Sequence, residues 1–278
     1  MGIYNIPDRQ YREMDGQSQS RLKRLMVSGL EYMKSPPASS DAFRLGSLID
    51  AMVLTPDLVK ESFIVPPDFA NSVMNVDAKG NRSTSRNTSW CKAAIKDYAR
   101  DHAGVTFVSQ EEMDVAAKIR DRCLSKQFMK DFFADKTAAT QVAMDGEING
   151  VLCKGLADGL SNSLIFDLKS TRETTLDGFR RSFFKYGYDF QLGFYLRLAW
   201  CNGFDFPIDK CYIVAASKFE PFDVTVFHIP PIWIEESFSK IDTCIEMYKR
   251  YRDDRNFMVG IDDGEPFISL DGGFSYEQ

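Results

Sequence analysis

Histidine is scarce in this 278-residue sequence, which contains only His102 and His228. A histidine-based catalytic triad or a metal site with several histidines is therefore poorly supported. None of the six cysteines forms a Cys-x-x-Cys pair, so neither a zinc site nor an iron–sulfur cluster is indicated. Several cysteines lie in apolar runs, which favours reduced, buried thiols in a cytoplasmic protein.

Long apolar runs are also missing. No stretch reaches the roughly 18 apolar residues of a membrane-spanning helix, and the polar residues 1–15 lack the apolar core of a signal peptide. We therefore expect no membrane partner. The net charge of −6 is not the basic balance typical of DNA-binding proteins. A local basic groove or a bound metal can still supply positive charge.

Hydrophobic residues make up 44% of the chain, including 22 phenylalanines, so a substantial core can form. Predicted helices span residues 21–33, 43–54, 89–100, 110–134, 176–201 and 232–252. Predicted strands span residues 140–143, 150–160, 164–170, 210–216 and 223–229. Helices first and then strands with a crossover helix predict an α/β (α+β) fold, with a central mixed β-sheet flanked by helices.

We expect one domain over residues 1–278, without internal repeats. It divides into a mainly helical N-terminal part (1–135), a sheet-containing core (136–256) and a loose tail (257–278). Residues 71–89 are rich in Asn, Ser, Thr and Gly and predict a mobile loop. Its basic residues fit either a solvated insertion or an arm near nucleic acid.

Two neighbouring predicted strands bring acids and a lysine together. Alternation along residues 164–170 places Asp167 and Lys169 on one face, and Asp158 lies on the preceding strand within cross-strand reach. Such a group can hold a divalent metal and a phosphate. For the Asp-x-Lys triplet alone, an ordinary surface ion pair is the alternative.

Three further polar side chains stand out against apolar surroundings. Asp50 lies in an apolar predicted helix, where an unpaired charge is costly, so it needs a partner: a metal, a basic side chain or a run of backbone amides. Gln191 and Tyr195 are four residues apart and share one helix face. They either hydrogen-bond an anionic strand or belong to ordinary amphipathic packing.

Basic residues concentrate just after the Asp-x-Lys strand. They fit either phosphate contacts or a solvated face. The candidates for DNA binding are Arg172, Arg180, Arg181 and Lys185.

The ordered combination resembles the PD-(D/E)xK nuclease superfamily in its RecB-like branch, and particularly the phage and prophage exonucleases of the RecE type (exodeoxyribonuclease VIII). The resemblance extends over residues 7–250 and implies a restriction-endonuclease-like core in a single nuclease domain. Asp50 stands where the family usually has histidine, and Leu156-Ala157 where it often has arginine. The motifs that carry the resemblance are Tyr11…Ser18-Gln19-Ser20, Gly155…Asp158, Asp167-Leu168-Lys169-Ser170 and Gln191-x-x-x-Tyr195.

The resemblance implies a deoxyribonuclease that uses Mg²⁺, with Mn²⁺ as a substitute and without an iron–sulfur cluster. Lys169 would position and help to deprotonate the attacking water, while Gln191 and Tyr195 would orient the cleaved strand. The implied metal ligands are Asp50, Asp158, Asp167 and the backbone carbonyl of Leu168. The implied catalytic residues are Asp158, Asp167, Lys169, Gln191 and Tyr195.

The resemblance also implies a substrate and partners. One strand of linear double-stranded DNA would be degraded 5′ to 3′, which leaves a 3′ single strand for recombination by annealing. A RecT-like single-strand annealing protein would bind that product, and the nuclease would form a ring-like homo-oligomer. The place of action would be the cytoplasm, that of a bacterial host if a phage encodes the protein. An endonuclease of the same fold and a non-catalytic DNA-binding module are the alternatives.

Overall fold

The computed structural model describes residues 2–4, 8–27 and 41–253. The expected tail (257–278) and the second half of the predicted helix at 21–33 lie outside the described residues. Along the part of the chain that is described, every helix is too short or too polar to cross a membrane.

Ten helices occur in the described residues, and the long ones pack on a central sheet. Single 3₁₀ turns lie at Pro56–Leu58 and Phe69–Asn71. The helices are α1 (Asp8–Glu13), α2 (Gln19–Val27), α3 (Asp41–Leu54), α4 (Val59–Ser62), α5 (Ser89–Asp101), α6 (Gln110–Ser125), α7 (Gln127–Ala134), α8 (Leu176–Lys185), α9 (Tyr188–Cys201) and α10 (Pro231–Asp253).

The central sheet is mixed and has the strand order β1-β5-β6-β7-β8-β9, with β2 parallel to β6. Strands β7 and β8 are parallel and are joined through α8 and α9, while the other neighbours in that order are antiparallel. The strands are β1 (Gly2–Tyr4), β2 (Gln17–Ser18), β3 (Phe63–Ile64), β4 (Thr106–Phe107), β5 (Ala139–Ile148), β6 (Val151–Leu160), β7 (Ile165–Thr171), β8 (Cys211–Ser217) and β9 (Val224–His228). The predicted α/β fold with a central mixed sheet flanked by helices is confirmed.

Each face of the sheet covers its own apolar core, because side chains alternate along the strands. Ile165 packs in the core beneath α9 and α10. Phe166 and Leu168 pack in the opposite core beneath α3, α6 and α7. This arrangement directs Asp167 and Lys169 to the α9 side, as the alternation predicts.

Two predicted helices are each interrupted in the structure. The prediction of one helix over 176–201 is wrong, because Gly187 adopts a left-handed φ of 61° between α8 and α9. The prediction of one helix over 110–134 is also wrong. Lys126 takes an extended conformation (ψ 137°) between α6 and α7. Two residues, Tyr186 and Gly187, separate the first pair of helices, and Lys126 alone separates the second.

Residues 71–89, which we expected to form a mobile loop, contain a short hairpin. The Ser83 amide donates to the Asn75 carbonyl at 2.8 Å, and the Asp77 amide donates to the Asn81 carbonyl at 2.8 Å. The fully buried Asn75 side chain donates to the Ala70 carbonyl at 2.8 Å. This segment has few apolar residues to bury, and the buried Asn75 amide holds it in place by hydrogen bonds instead. The mobility of this segment stays a prediction.

An inward-facing lysine ties the N-terminal segment to the sheet. Lys154 on β6 is 9% exposed, and its ammonium donates to the carbonyls of Tyr11 (3.1 Å), Arg12 (3.0 Å) and Met14. These carbonyls lie at the C-terminal end of α1 and just beyond it, where helix carbonyls lack their full set of intrahelical donors. The Lys154 charge is therefore satisfied by backbone oxygens, and it fixes α1 beside β6.

Candidate active site

Strands β6 and β7 separate at the position of two aspartates. Their register pairs Leu160 with Ile165 and Gly159 with Phe166 and then stops. Beyond this point the Leu168 amide has no backbone carbonyl of β6 to bind. It donates instead to Oδ2 of the Asp158 side chain at 2.7 Å. The opening between the strands exposes Asp158 and Asp167 to the same space.

Asp167 lies at the centre of the polar group. It is 2% exposed. Its Oδ1 accepts a hydrogen bond from Gln191 Nε2 at 2.8 Å, and its Oδ2 contacts the Lys169 ammonium. The structure thus brings together Asp158, Asp167, Lys169 and Gln191, as the resemblance implies.

Helix α9 lies unusually close to β6, and Gly155 permits this approach. A Cβ atom at Gly155 would lie 2.8 Å from Tyr195 Cδ1, closer than van der Waals contact allows. The close packing seats Tyr195 beside Gln191, whose Nε2 donates to the Tyr195 hydroxyl at 3.3 Å. Gln191 therefore links the Tyr195 hydroxyl to Asp167.

Helix α3 carries Asp50 to the same region. The approach of α3 to β7 is close, since a Cβ atom at Gly46 would lie 3.2 Å from Ser170 Oγ. Asp50 is partly buried. Burial raises the pKa of Asp50 to about 7, with Lys169 lowering the pKa and Asp167 raising it. Within the described residues no hydrogen-bond donor or cation pairs with its carboxylate.

The three acids disfavour one another's charge. Burial, Asp167 and Asp50 together raise the pKa of Asp158 well above its ordinary value. Burial lowers the pKa of Lys169, but the charges of Asp167 and Asp158 raise it by more, so the net shift is upward. Lys169 is therefore a protonated counter-ion of the acids in the metal-free protein.

The donor set fits a hard divalent cation. Asp167 Oδ2 is buried and accepts no hydrogen bond of good geometry within the described residues. A bound cation would offset the burial that raises the pKa of Asp50 and of Asp158, and oxygen ligands suit Mg²⁺. In the described part of the chain, the three carboxylates are not close enough together for all of them to hold one metal ion. Binding by all three requires Lys169 to leave Asp167 Oδ2.

Gln141 on β5 is a site residue that sequence reasoning missed. It faces Asp158 across the β5–β6 ladder, and its Nε2 donates to Asp158 Oδ1 at 3.1 Å. Its φ of 50° is left-handed, which is unusual for a non-glycine residue inside a strand. The sequence signal was a lone glutamine at the start of an apolar strand, and only the register shows what it contacts.

We expect Gln141→Leu to destabilise the protein by about 1 to 3 kcal/mol, because the Asp158 carboxyl loses a donor while leucine keeps the backbone strain that glutamine already bears at positive φ. Gln141→Gly is the matched variant: it loses the same hydrogen bond but relaxes the backbone. Urea denaturation should therefore show that the leucine variant is less stable than both wild type and the glycine variant. A leucine variant as stable as wild type contradicts the role of this hydrogen bond.

The four basic residues proposed for DNA binding lie outside the acidic group. Arg172, Arg180, Arg181 and Lys185 are all exposed, after β7 and along α8. The backbone carbonyl of Leu168 is the fourth implied metal ligand. The Leu168 side chain is buried in the core beneath α3, α6 and α7, and its amide donates to Asp158. Tyr188 lies nearer the acids, since its ring centroid is 5.2 Å from Lys169 Nζ.

The family model described as "PDDEXK-like domain of unknown function (DUF3799)" matches residues 18–257. The chain belongs to this family. The PDDEXK-like domain is also similar in fold to the crystal structure of a "Putative exonuclease" from Eubacterium rectale, with a TM-score of 0.59 and 16% identity. That alignment covers 90% of this chain and 87% of the other. None of the curated proteins matches the sequence of the PDDEXK-like domain.

Proposed function

We propose that this PDDEXK-like domain is a metal-dependent deoxyribonuclease of the exonuclease type. The observation that carries the proposal is the meeting of Asp158, Asp167 and Lys169 where β6 and β7 separate, with Gln191 of α9 bonded to Asp167. Acids and an ammonium held together at a gap in a sheet are suited to phosphodiester hydrolysis. The similarity to a "Putative exonuclease" supports the exonuclease choice.

Asp50, Asp158, Asp167 and the Leu168 carbonyl would hold the metal, which would supply Lewis-acid stabilisation of charge on the phosphoryl group. The protein residues have separate tasks. Lys169 supplies a positive charge to the phosphate and positions the attacking water. Gln191 holds Asp167 in one orientation, while Tyr195 packs against Gly155 and its hydroxyl accepts a hydrogen bond from Gln191.

The finer parts of the proposal come from the RecE-type resemblance. They are degradation of linear duplex DNA from 5′ to 3′, Mg²⁺ as the ion with Mn²⁺ as a substitute, and a RecT-like annealing protein as the partner. The proposal also includes a homo-oligomer, and it places the protein in the cytoplasm, where it would act in phage-linked recombination. Phosphate contacts are assigned to Arg172, Arg180, Arg181 and Lys185, which are exposed on one stretch of chain.

Digestion of end-labelled linear duplex DNA tests the function. With Mg²⁺ we expect early release of a 5′ label, late release of a 3′ label, no release in EDTA, and covalently closed circles left intact. Cutting of closed circles would instead make the protein an endonuclease of the same fold. Binding of duplex without any loss of DNA would make it a non-catalytic module.

A further inference from the structure

Three aromatic side chains lie at the connection between α8 and α9, and the first of them is beside Lys169. The Tyr188 ring lies 5.2 Å from Lys169 Nζ, and the Tyr186 ring lies 5.8 Å from Tyr188 with 33° between the ring planes. Tyr186 is 53% exposed, and Phe184, two residues earlier, is 43% exposed. We call Tyr188, Tyr186 and Phe184 the aromatic row. It presents large rings to solvent directly beside the candidate active site.

Cations flank the aromatic row. Lys185 Nζ lies 5.4 Å from the Tyr186 ring centroid. The Arg180 guanidinium lies 5.5 Å from the Trp233 ring, which packs edge-on against Phe184 at 4.8 Å. Rings and cations therefore alternate on this surface, although the whole chain is acidic. A ligand that matches them carries negative charge at intervals and flat apolar groups between.

Backbone contacts fix the row in position. The Lys23 ammonium donates to the carbonyls of Tyr186 at 3.1 Å and Gly187 at 3.3 Å. The Tyr186 amide donates to the Ser182 carbonyl at 3.0 Å. Because the connection is held from two elements, presenting the Tyr186 ring to a ligand costs little conformational entropy.

We propose that the aromatic row binds single-stranded DNA, with bases stacked on Tyr186 and Phe184 and phosphates beside Lys185 and Arg180. This inference rests on the proposed nuclease function and adds that the strand is unpaired where it approaches Lys169. Inside a duplex, paired bases offer only their edges in the grooves, so successive bases become available for stacking on exposed rings when the strand is released from the duplex. Charge complementarity selects an anionic strand over an apolar protein partner.

Binding of a fluorescein-labelled oligothymidine of about 20 nucleotides tests the inference. The parent is the full chain with Asp167→Asn, in EDTA, so that no cleavage occurs. We expect Tyr186→Ala to weaken binding roughly tenfold and Tyr186→Trp to retain it. Phe133→Ala is the matched control, because Phe133 is an equally exposed ring (45%) on α7. The Phe133→Ala substitution should change the affinity for oligothymidine by less than about twofold. The Tyr186→Ala substitution should likewise change the affinity for a blunt duplex by less than about twofold.

Three results would overturn the inference. One is equal affinity of the parent and Tyr186→Ala proteins for oligothymidine. Another is equal weakening for oligothymidine and duplex, which would make the surface a general phosphate-binding face. The third is conversion of an oligomer to monomers by Tyr186→Ala in analytical ultracentrifugation with oligothymidine binding unchanged, which would assign the row to a second copy of the chain.

Digestion of linear duplex by the unaltered chain separates this inference from the proposed function. If no digestion occurs but oligothymidine binding depends on Tyr186, the nuclease proposal fails and the aromatic row stands. If digestion occurs and binding is independent of Tyr186, the nuclease proposal stands and the aromatic row fails. Circular dichroism spectra matching the parent ensure that each comparison is made between folded proteins.

Discussion

Asp167→Ala and Lys169→Ala should each reduce Mg²⁺-dependent digestion of linear duplex DNA by about 10³-fold or more while leaving the fold intact. Asp167 contacts both Lys169 and Gln191, so its loss removes the group that holds the other two in place. Loss of Lys169 removes the cation of the acidic group. Initial rates of label release measure the effect, and circular dichroism measures the fold. Digestion at the wild-type rate by either variant would contradict the assignment.

Arg197→Gln is a suitable control for these two variants. Arg197 lies on α9, the helix that also carries Gln191, and forms an ion pair with Asp242 of α10. It touches none of the proposed catalytic residues. This variant also loses one partner of an ion pair and is expected to lower stability. Its digestion rate per folded molecule should remain close to wild type, which would tie the larger losses to Asp167 and Lys169.

Asp50→Asn should make the metal-free protein more stable than wild type at pH 8, with no difference at pH 4. The folded-state pKa of Asp50 is about 7, and the unfolded value is about 3.9. Between these values the folded protein keeps a proton that the unfolded chain has lost, so stability falls as pH rises. At about 1.4 kcal/mol per pH unit, the upper limit is roughly 4 kcal/mol.

Urea denaturation in EDTA, repeated across this pH range, measures the Asp50 effect. Adding Mg²⁺ at pH 8 should stabilise wild type more than Asp50→Asn, because only the wild type regains a favourable partner for this charge. Asp50→His should keep more digestion activity than Asp50→Asn, since histidine usually stands here in the family that the sequence resembles. Equal activity of the two variants would leave Asp50 as a structural acid.

Local patterns were sufficient to predict the central elements of the site. Alternation in residues 164–170 gave the faces of β7 correctly, because apolar neighbours of Asp167 must enter the two cores. The four-residue spacing of Gln191 and Tyr195 placed them on one face of α9, where they hydrogen-bond. These predictions depend only on the side-chain periods that any strand or helix has.

Other features depend on contacts between distant segments. The role of Gln141 requires the β5–β6 register together with a left-handed backbone, and neither is visible in its neighbours. The ammonium of Lys154 is satisfied by carbonyls more than 100 residues earlier in the chain. No local pattern contains the information for such long-range geometry.

The Leu168 amide has a consequence for spectroscopy. In most strands an amide proton is protected by a neighbouring carbonyl, but this proton is held by the Asp158 side chain at the point where the ladder ends. A cation that draws that carboxylate away frees the proton as well. The resonance of one backbone amide thus reports the state of the carboxylate, without any label attached to the protein.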